Sequence, residues 1–429
     1  MREQSSKVQP GNFMDAALFQ FHAVGVANES DASEISSRRR SAIRAQQEAA
    51  PPGRPENSTM NSANLDLLRS FAVLLVVGFH LAKFFNWQFD TLRVTDFGLL
   101  GVMFFFVHTT LVLMFSLQRQ QAAPGSSLLV PFMVRRCFRI YPLAVVVVTL
   151  AYLLRIPSDL QFGGFHLLRQ SRGNLLANLL LVQNVTRQKA NPGVLWSLPL
   201  ELQMYLVLPA LFLLAARVKS AWRIIAFWWL AVGLWFATGV AAGILPLSEG
   251  GIRSPAEALL KFTRFAPCFL AGVAAYKLWN RPRVLSSAFW PLFLALCCAA
   301  FLWRSGSQPI ETGWFICLGI GLGVCLFREM PANGLSRVTS RIARYSYGIY
   351  LLHYAAIWIG FEVCRKLNVA LQAAIFVFVL VSLSVILYHT VEAPLIGAGA
   401  RIAKRLQHSS FQIAARGRST ECASQMLSE

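Results

Sequence analysis

The chain has 429 residues, of which 55% are hydrophobic and only 14% charged, and its mean hydropathy is +0.50. A chain this apolar is not a soluble domain, so its formal net charge of +20 points to Lys- and Arg-rich cytoplasmic loops between membrane spans rather than to nucleic acid. The eight cysteines show no CxxC or Cys/His ligand spacing, and Cys268, Cys297, Cys298, Cys317 and Cys325 fall in apolar runs, so neither zinc nor a disulfide framework is expected.

Residues 1–64 are polar, carry Arg38-Arg39-Arg40 and the turn-rich run PPGRPENST, and read as a disordered arm without the apolar core of a cleaved signal peptide. The first span, Leu65 to Phe85 (LDLLRSFAVLLVVGFHLAKFF), then acts as the insertion signal, with Met60 offering a second start just before it. About 20 apolar residues at ~1.5 Å each cross the ~30 Å hydrocarbon layer. Inside that run stand Arg69 and His80. Eleven positions at about 100° each make three turns plus about 20°, so both side chains project from one stripe, about 16 Å apart along the axis. Arg69 reaching the headgroups and His80 bonding a neighbouring helix is the bland account. The functional account is favoured, because ionisable groups inside a span are costly unless they face a polar interior.

Nine more spans follow at Phe97–Leu117, Ile140–Leu154, Trp196–Ala216, Trp222–Ala242, Phe262–Trp279, Ala288–Trp303, Trp314–Phe327, Ile342–Phe361 and Leu371–Tyr388. The expected fold is therefore an all-α polytopic membrane domain of about ten transmembrane helices over residues 65–392, followed by a basic cytoplasmic tail, 393–429. Asn174 to Gln183 is too short to cross and is expected as a re-entrant or interfacial segment. Ten spans place Arg135/Arg136/Arg139, Arg217/Lys219/Arg223, Lys277/Arg281/Arg283, Arg328/Arg337/Arg341/Arg344 and the tail on one side, with both termini cytoplasmic. An eleventh span would move every later cluster outside.

Four stretches beyond the first span carry candidate chemistry. His108, in GVMFFFVHTTLVLMF, rivals His80 but has no partner charge on its own helix. In VPFMVRRCFRIYP, Arg136 and Arg139 share a helix face, and guanidinium forks suit phosphate, although a positive-inside anchor would look similar. The tight Arg-x-x-Arg-Ile-Tyr-Pro arrangement at a helix entrance favours a ligand. In NPGVLWSLPLELQMYLVLP, Ser197, Glu201 and Tyr205 recur every fourth residue as a polar stripe. Glu201 is expected at the depth of His80, where a carboxylate orients an imidazole into a general base. In SRIARYSYGIYLLHYAAIW, Ser346, Tyr350 and His353 share a face, and Trp196, Ser197, Tyr205, Tyr350 and His353 make up the expected substrate pocket. Arg264 stands near an outer entrance, where it could meet an anionic acceptor or snorkel.

The Arg69-x10-His80 pattern, RRCFRIYP, WSLPLELQMYLVLP, SYGIYLLHY and the closing VEAP, in that order from about Leu65 to Arg405, resemble the integral-membrane acyltransferase 3 family. That resemblance implies a ten-helix enzyme of the bacterial inner membrane that moves an acyl group, commonly acetyl, from cytoplasmic acyl-CoA to a hydroxyl of a polysaccharide, lipid-linked sugar or other glycoside, without a metal. It implies His80 as the catalytic histidine, with Arg69, Arg136, Arg139 and Glu201 at the other motif positions. Two positions depart from the family pattern: His108-Thr109 stands where Ser-Gly is frequent, and Ala393 where Arg or Lys is usual. The rival readings are a transporter of an anionic molecule or glycan precursor, lined by the same polar residues, and a polymerase or ligase of lipid-linked sugars, which would use a large outer loop.

Overall fold

A computed structural model describes residues 62–87, 94–121, 128–157, 159–166, 171–218, 220–241, 263–304 and 309–407. The polar arm up to residue 61 and the tail from residue 408 lie outside the described residues. The described chain runs through α1 (Ala63–Phe84), α2 (Val94–Gln121), α3 (Leu129–Leu153), an antiparallel hairpin of β1 (Asp159–Gln161) and β2 (Gly164–His166), and the short α4 (Arg172–Leu179). A 3-10 turn, Gly193–Ser197, feeds α5 (Leu198–Arg217), followed by α6 (Ala221–Ala241), α7 (Ala266–Leu278), α8 (Trp290–Arg304), α9 (Pro309–Gly323), α10 (Gly334–Ile357) and α11 (Val369–Leu387). Five helical runs, Ala63–Phe84, Asp96–Gln121, Leu129–Leu153, Gly193–Arg217 and Val369–Gln407, are long and apolar enough to cross a bilayer, and four shorter apolar helices accompany them among the described residues. The protein is an all-α polytopic membrane protein.

The helix ends are set by local chemistry. Ser62 caps α1 by accepting from the Leu65 amide at 3.3 Å. Asn333 and Ser336 form a reciprocal capping box at α10, and Asn368 accepts from the Leu371 amide at the start of α11. Asn64 ties the head of α1 to the strand-like segment before α10: its side chain donates to the Arg328 carbonyl at 3.0 Å and accepts from the Met330 amide at 3.2 Å.

Helix α2 is the centre of the bundle and packs against α1, α5, α7, α8 and α9. In lipid there is no hydrophobic drive between helices, so close backbone approach decides which surfaces meet. Two glycines provide it. A Cβ on Gly101 of α2 would lie 2.6 Å from the Ala72 carbonyl oxygen of α1, and one on Gly272 of α7 would lie 2.6 Å from the Val107 carbonyl oxygen of α2. The buried indoles of Trp228, Trp290 and Trp314 are satisfied by donating to the carbonyls of Pro267, Asn64 and Arg264. The opposite faces, with Leu74, Trp222, Phe378 and Val381, are left to lipid.

Helix α10 lies against α1 and α11, and this contact brings the two polar stripes read from the sequence together. The helices extend past the apolar spans: α3, with Arg135 to Arg139, starts at Leu129, ahead of the span expected from Ile140, and α10 starts at Gly334, ahead of the span expected from Ile342. A hydropathy window ends at charge, whereas a helix continues wherever its charged face has somewhere polar to point. At the other end, α11 passes through a π-helical turn, Tyr388–Glu392, and the chain stays helical to Gln407.

The segment expected to be re-entrant or interfacial is α4 and its following loop. Its polar side chains point inward: Asn174 and Asn178 both donate to the Lys189 carbonyl, Asn178 accepts from the Asn191 amide, and Gln183 donates to the Leu195 carbonyl. Leu176 and Leu180 face outward. Irregular backbone at membrane depth needs its polar groups satisfied by protein, and these amides do that.

Candidate active site

The polar interior divides into two neighbouring regions. The first is a cavity of ≈ 110 Å³ whose walls include Arg69 of α1, His108 and Thr109 of α2, Arg136 and Arg139 of α3, Ser197, Glu201 and Tyr205 at the start of α5, and Ser346, Tyr347 and Tyr350 of α10. Arg69 donates from Nε to Ser346 Oγ at 2.6 Å. Arg139 forms an ion pair with Glu392 at 2.6 Å and lies 5.5 Å from the Tyr347 ring centroid. Glu392, only 1% exposed, is brought there by the π-helical turn that ends α11. Arg136 stacks over Phe132 at 5.8 Å, and its Nε is a buried donor without a protein partner. Tyr205 donates its hydroxyl to Glu201 Oε1. The cavity therefore combines guanidinium groups, one of them with a free donor, with a single carboxylate–phenol pair.

The second region is a pair of histidines. His80 Nδ1 lies 3.0 Å from Nε2 of His353, which comes from α10. Tyr354 stands edge-on to the His80 ring, with centroids 4.9 Å apart, and Phe165 of the β-hairpin packs on Tyr354 in turn. The hairpin is docked on the end of α1 by the Gly163 amide, which donates to the Lys83 carbonyl at 3.1 Å. Tyr350 joins the two regions. It lines the cavity, its hydroxyl donates to the Val194 carbonyl at 2.7 Å and accepts from Ser197 Oγ at 2.8 Å, and it precedes His353 by three residues, about 4.5 Å of helix.

The structure brings Arg69, Arg136, Arg139, Ser197, Glu201, Tyr205 and Tyr350 into one cavity and His80 together with His353 beside it. Three expectations change. Glu201 does not orient His80: its hydrogen-bond partner is Tyr205, and it sits among the arginines. The reason is the segment before it, since the 3-10 turn with Val194, Leu195 and Ser197 buried lets α5 start inside the bundle, and Glu201 is carried deeper still. Trp196 is not a wall of the cavity but packs on Phe265 at 5.8 Å. His353 is not in the cavity wall either, but 0% exposed and bonded to the other histidine. Arg264, expected at an outer entrance, is held by Glu311 at 2.7 Å. Sequence reasoning missed the place of Glu392 and Tyr347. Glu392 was visible only as part of VEAP, with 253 positions separating it from Arg139 and nothing local to couple them. Among the described residues, no group of three or more His, Cys, Asp or Glu side chains gathers as metal ligands would.

A polytopic helical bundle with intramembrane arginines converging on one cavity, beside buried histidines, defines an integral-membrane enzyme or transporter site. The acyltransferase domain model of the acyltransferase 3 family matches residues 62–389, and the chain belongs to that family. A curated relative, peptidoglycan O-acetyltransferase OatA of Listeria monocytogenes, is 28% identical over 325 residues, covering 68% of this chain and 49% of its own length. This chain thus spans about half the length of that relative. No solved structure matches it.

Proposed function

We propose that this protein is an inner-membrane O-acyltransferase, with both termini in the cytoplasm, that transfers an acetyl group from cytoplasmic acetyl-CoA to a hydroxyl of a cell-envelope glycan. The observation that carries the reading is that the arginine cavity and the histidine pair share helices α1 and α10 and are joined by Tyr350, which lines the cavity one turn before His353. Arg136, with its unpartnered Nε, and Arg69 suit the phosphates or thioester carbonyl of an acyl-CoA, since guanidinium donors bind such oxygens through charge-assisted hydrogen bonds. His80 is the general base. It takes the proton from the acceptor hydroxyl as that oxygen bonds to the acyl carbon, the carbon–sulfur bond breaks, and the proton passes to the thiolate that leaves. The Listeria relative's printed activity, O-acetylation of peptidoglycan, supports an acetyl group and a glycan acceptor.

Purified protein in nanodiscs, given acetyl-CoA labelled in the acetyl group and peptidoglycan fragments, is expected to place label on the glycan as an ester released by mild base. Absence of transfer to any cell-envelope glycan, with labelled anion uptake into proteoliposomes instead, would replace the enzyme reading by the transporter reading.

A further inference from the structure

The two histidines assign each other's protons. His353 Nδ1 lies 2.7 Å from the Tyr350 carbonyl oxygen and 3.3 Å from that of Ile349. A carbonyl oxygen only accepts, so Nδ1 carries the hydrogen and, in the neutral ring, Nε2 is the bare acceptor. That Nε2 meets His80 Nδ1 at 3.0 Å, and the same His80 atom lies 2.8 Å from the Val76 carbonyl. Both partners of His80 Nδ1 are acceptors, so Nδ1 is the donor and the bare nitrogen of His80 is Nε2.

We propose that His353 is a positioning residue for the transfer reaction: by accepting the Nδ1–H of His80, it holds Nε2 as the base and takes up part of the charge that the ring gains with the substrate proton. This rests on the reading of His80 as the general base. Val76 cannot do the same work alone. It lies four residues back on His80's own helix, so its carbonyl moves with α1, whereas His353 is anchored on α10. His353 is itself held, by the Tyr350 carbonyl and by the edge of Tyr354 at 5.1 Å. Among the described residues, no carboxylate bonds either ring, so the position that an acidic group commonly takes behind a catalytic histidine is filled by a neutral imidazole. Once Nε2 has accepted the hydroxyl proton, Nδ1–H becomes a charge-assisted donor, and its bond to His353 tightens only as the reaction proceeds. An interaction that strengthens in the transition state raises kcat and leaves KM alone. When the proton passes on to the leaving thiolate, both rings return to their starting state.

The test uses His353→Leu and His353→Gln in the labelled transfer assay. Leucine removes the acceptor, whereas the Gln side-chain carbonyl reaches the place of Nε2 and still accepts. The expectation for His353→Leu is a kcat about ten- to hundredfold lower, the worth of a hydrogen bond to a charged group, with KM for donor and acceptor within about twofold. His353→Gln should recover kcat to within about fivefold of the parent. Independently of how the variants fold, 15N-histidine NMR of the parent protein, assigned with His80→Gln, should show Nε2 of His80 as the bare nitrogen. Equal losses in the two variants, a normal kcat in His353→Leu, or a hydrogen on His80 Nε2 would each overturn the proposal. His80→Gln separates the two layers: if it is inactive while His353→Leu is normal, the general-base reading stands and this one falls. Near-normal turnover in His80→Gln removes both.

Discussion

The arginine cavity and the histidine pair are built from shared helices, α1 and α10, and are joined by Tyr350, yet they handle polarity in opposite ways. The cavity gathers formal charge: Arg69, Arg136 and Arg139 line one small space with Glu201, and Glu392 pairs with Arg139. Ion pairing makes such charge tolerable in a low-dielectric interior, and any donor left over invites an anion. Among the described residues, no charged side chain hydrogen-bonds the histidine pair; it is two imidazoles, hydrogen-bonded to each other and to backbone carbonyls, enclosed by Tyr354, Phe79 and the hairpin. One region is suited to holding a charged donor and the other to moving a single proton. Substitutions should therefore separate into those that change binding and those that change turnover.

The largest separation is expected at His80. Gln keeps much of the size and hydrogen bonding but cannot serve as a base, so His80→Gln should lose about 10²- to 10⁴-fold in kcat, the usual worth of general base catalysis, while binding acyl-CoA normally. A rise in donor KM of similar size would place His80 in binding and erase the contrast. Next comes Arg139. Its removal leaves the Glu392 carboxylate buried without its partner, so Arg139→Ala should destabilise the bundle by about 3 kcal/mol, read as a lower midpoint of thermal unfolding in detergent. Arg139→Ala together with Glu392→Gln should regain part of that loss, and no regain would mean that the ion pair is not what Arg139 contributes. Arg136, with a buried Nε that has no protein partner and, among the described residues, no ion pair, should behave differently. Arg136→Ala is expected to raise donor KM about tenfold or somewhat more, with little change in unfolding midpoint, and Arg136→Lys should recover only part, because a point charge cannot reproduce the fork.

Much of both regions was legible from residues alone. The stripe shared by Arg69 and His80 follows from helical period, and Ser197, Tyr205 and Tyr350 fall in the cavity because polar groups in an apolar helix turn inward. What the sequence could not supply was depth and pairing. Glu201 was placed beside His80 by counting inward from a helix start assumed to lie at the membrane surface, and the buried amide-stapled loop before it moved that start into the bundle. Glu392 and His353 find their partners 253 and 273 positions away, through helix contacts that no local pattern announces. The apolar spans are shorter than the helices for a related reason: α3 and α10 continue through arginines that a hydropathy window treats as a boundary.

The smallest effect sharpens the comparison most, because it concerns a carboxylate expected beside the histidine and found among the arginines. If Glu201 oriented His80, Glu201→Gln would depress kcat and leave donor binding intact. In the structure Glu201 accepts from Tyr205 and lies among the arginines, so its carboxylate helps to set how much positive charge the cavity offers. Gln still accepts from Tyr205 but removes the negative charge, and an anionic donor should then bind as well or better. Glu201→Gln is therefore expected to shift donor KM downward by about two- to fivefold, the scale of one modest interaction, with kcat within about twofold. Tyr205→Phe, which unties the carboxylate without removing its charge, should move donor KM the other way, since a carboxylate freed from the phenol turns to the guanidinium groups and competes with the donor for them. Steady-state kinetics with varied acyl-CoA at saturating acceptor would read both. A loss in kcat of tenfold or more in Glu201→Gln would return the carboxylate to the histidine and show that the two regions work as one.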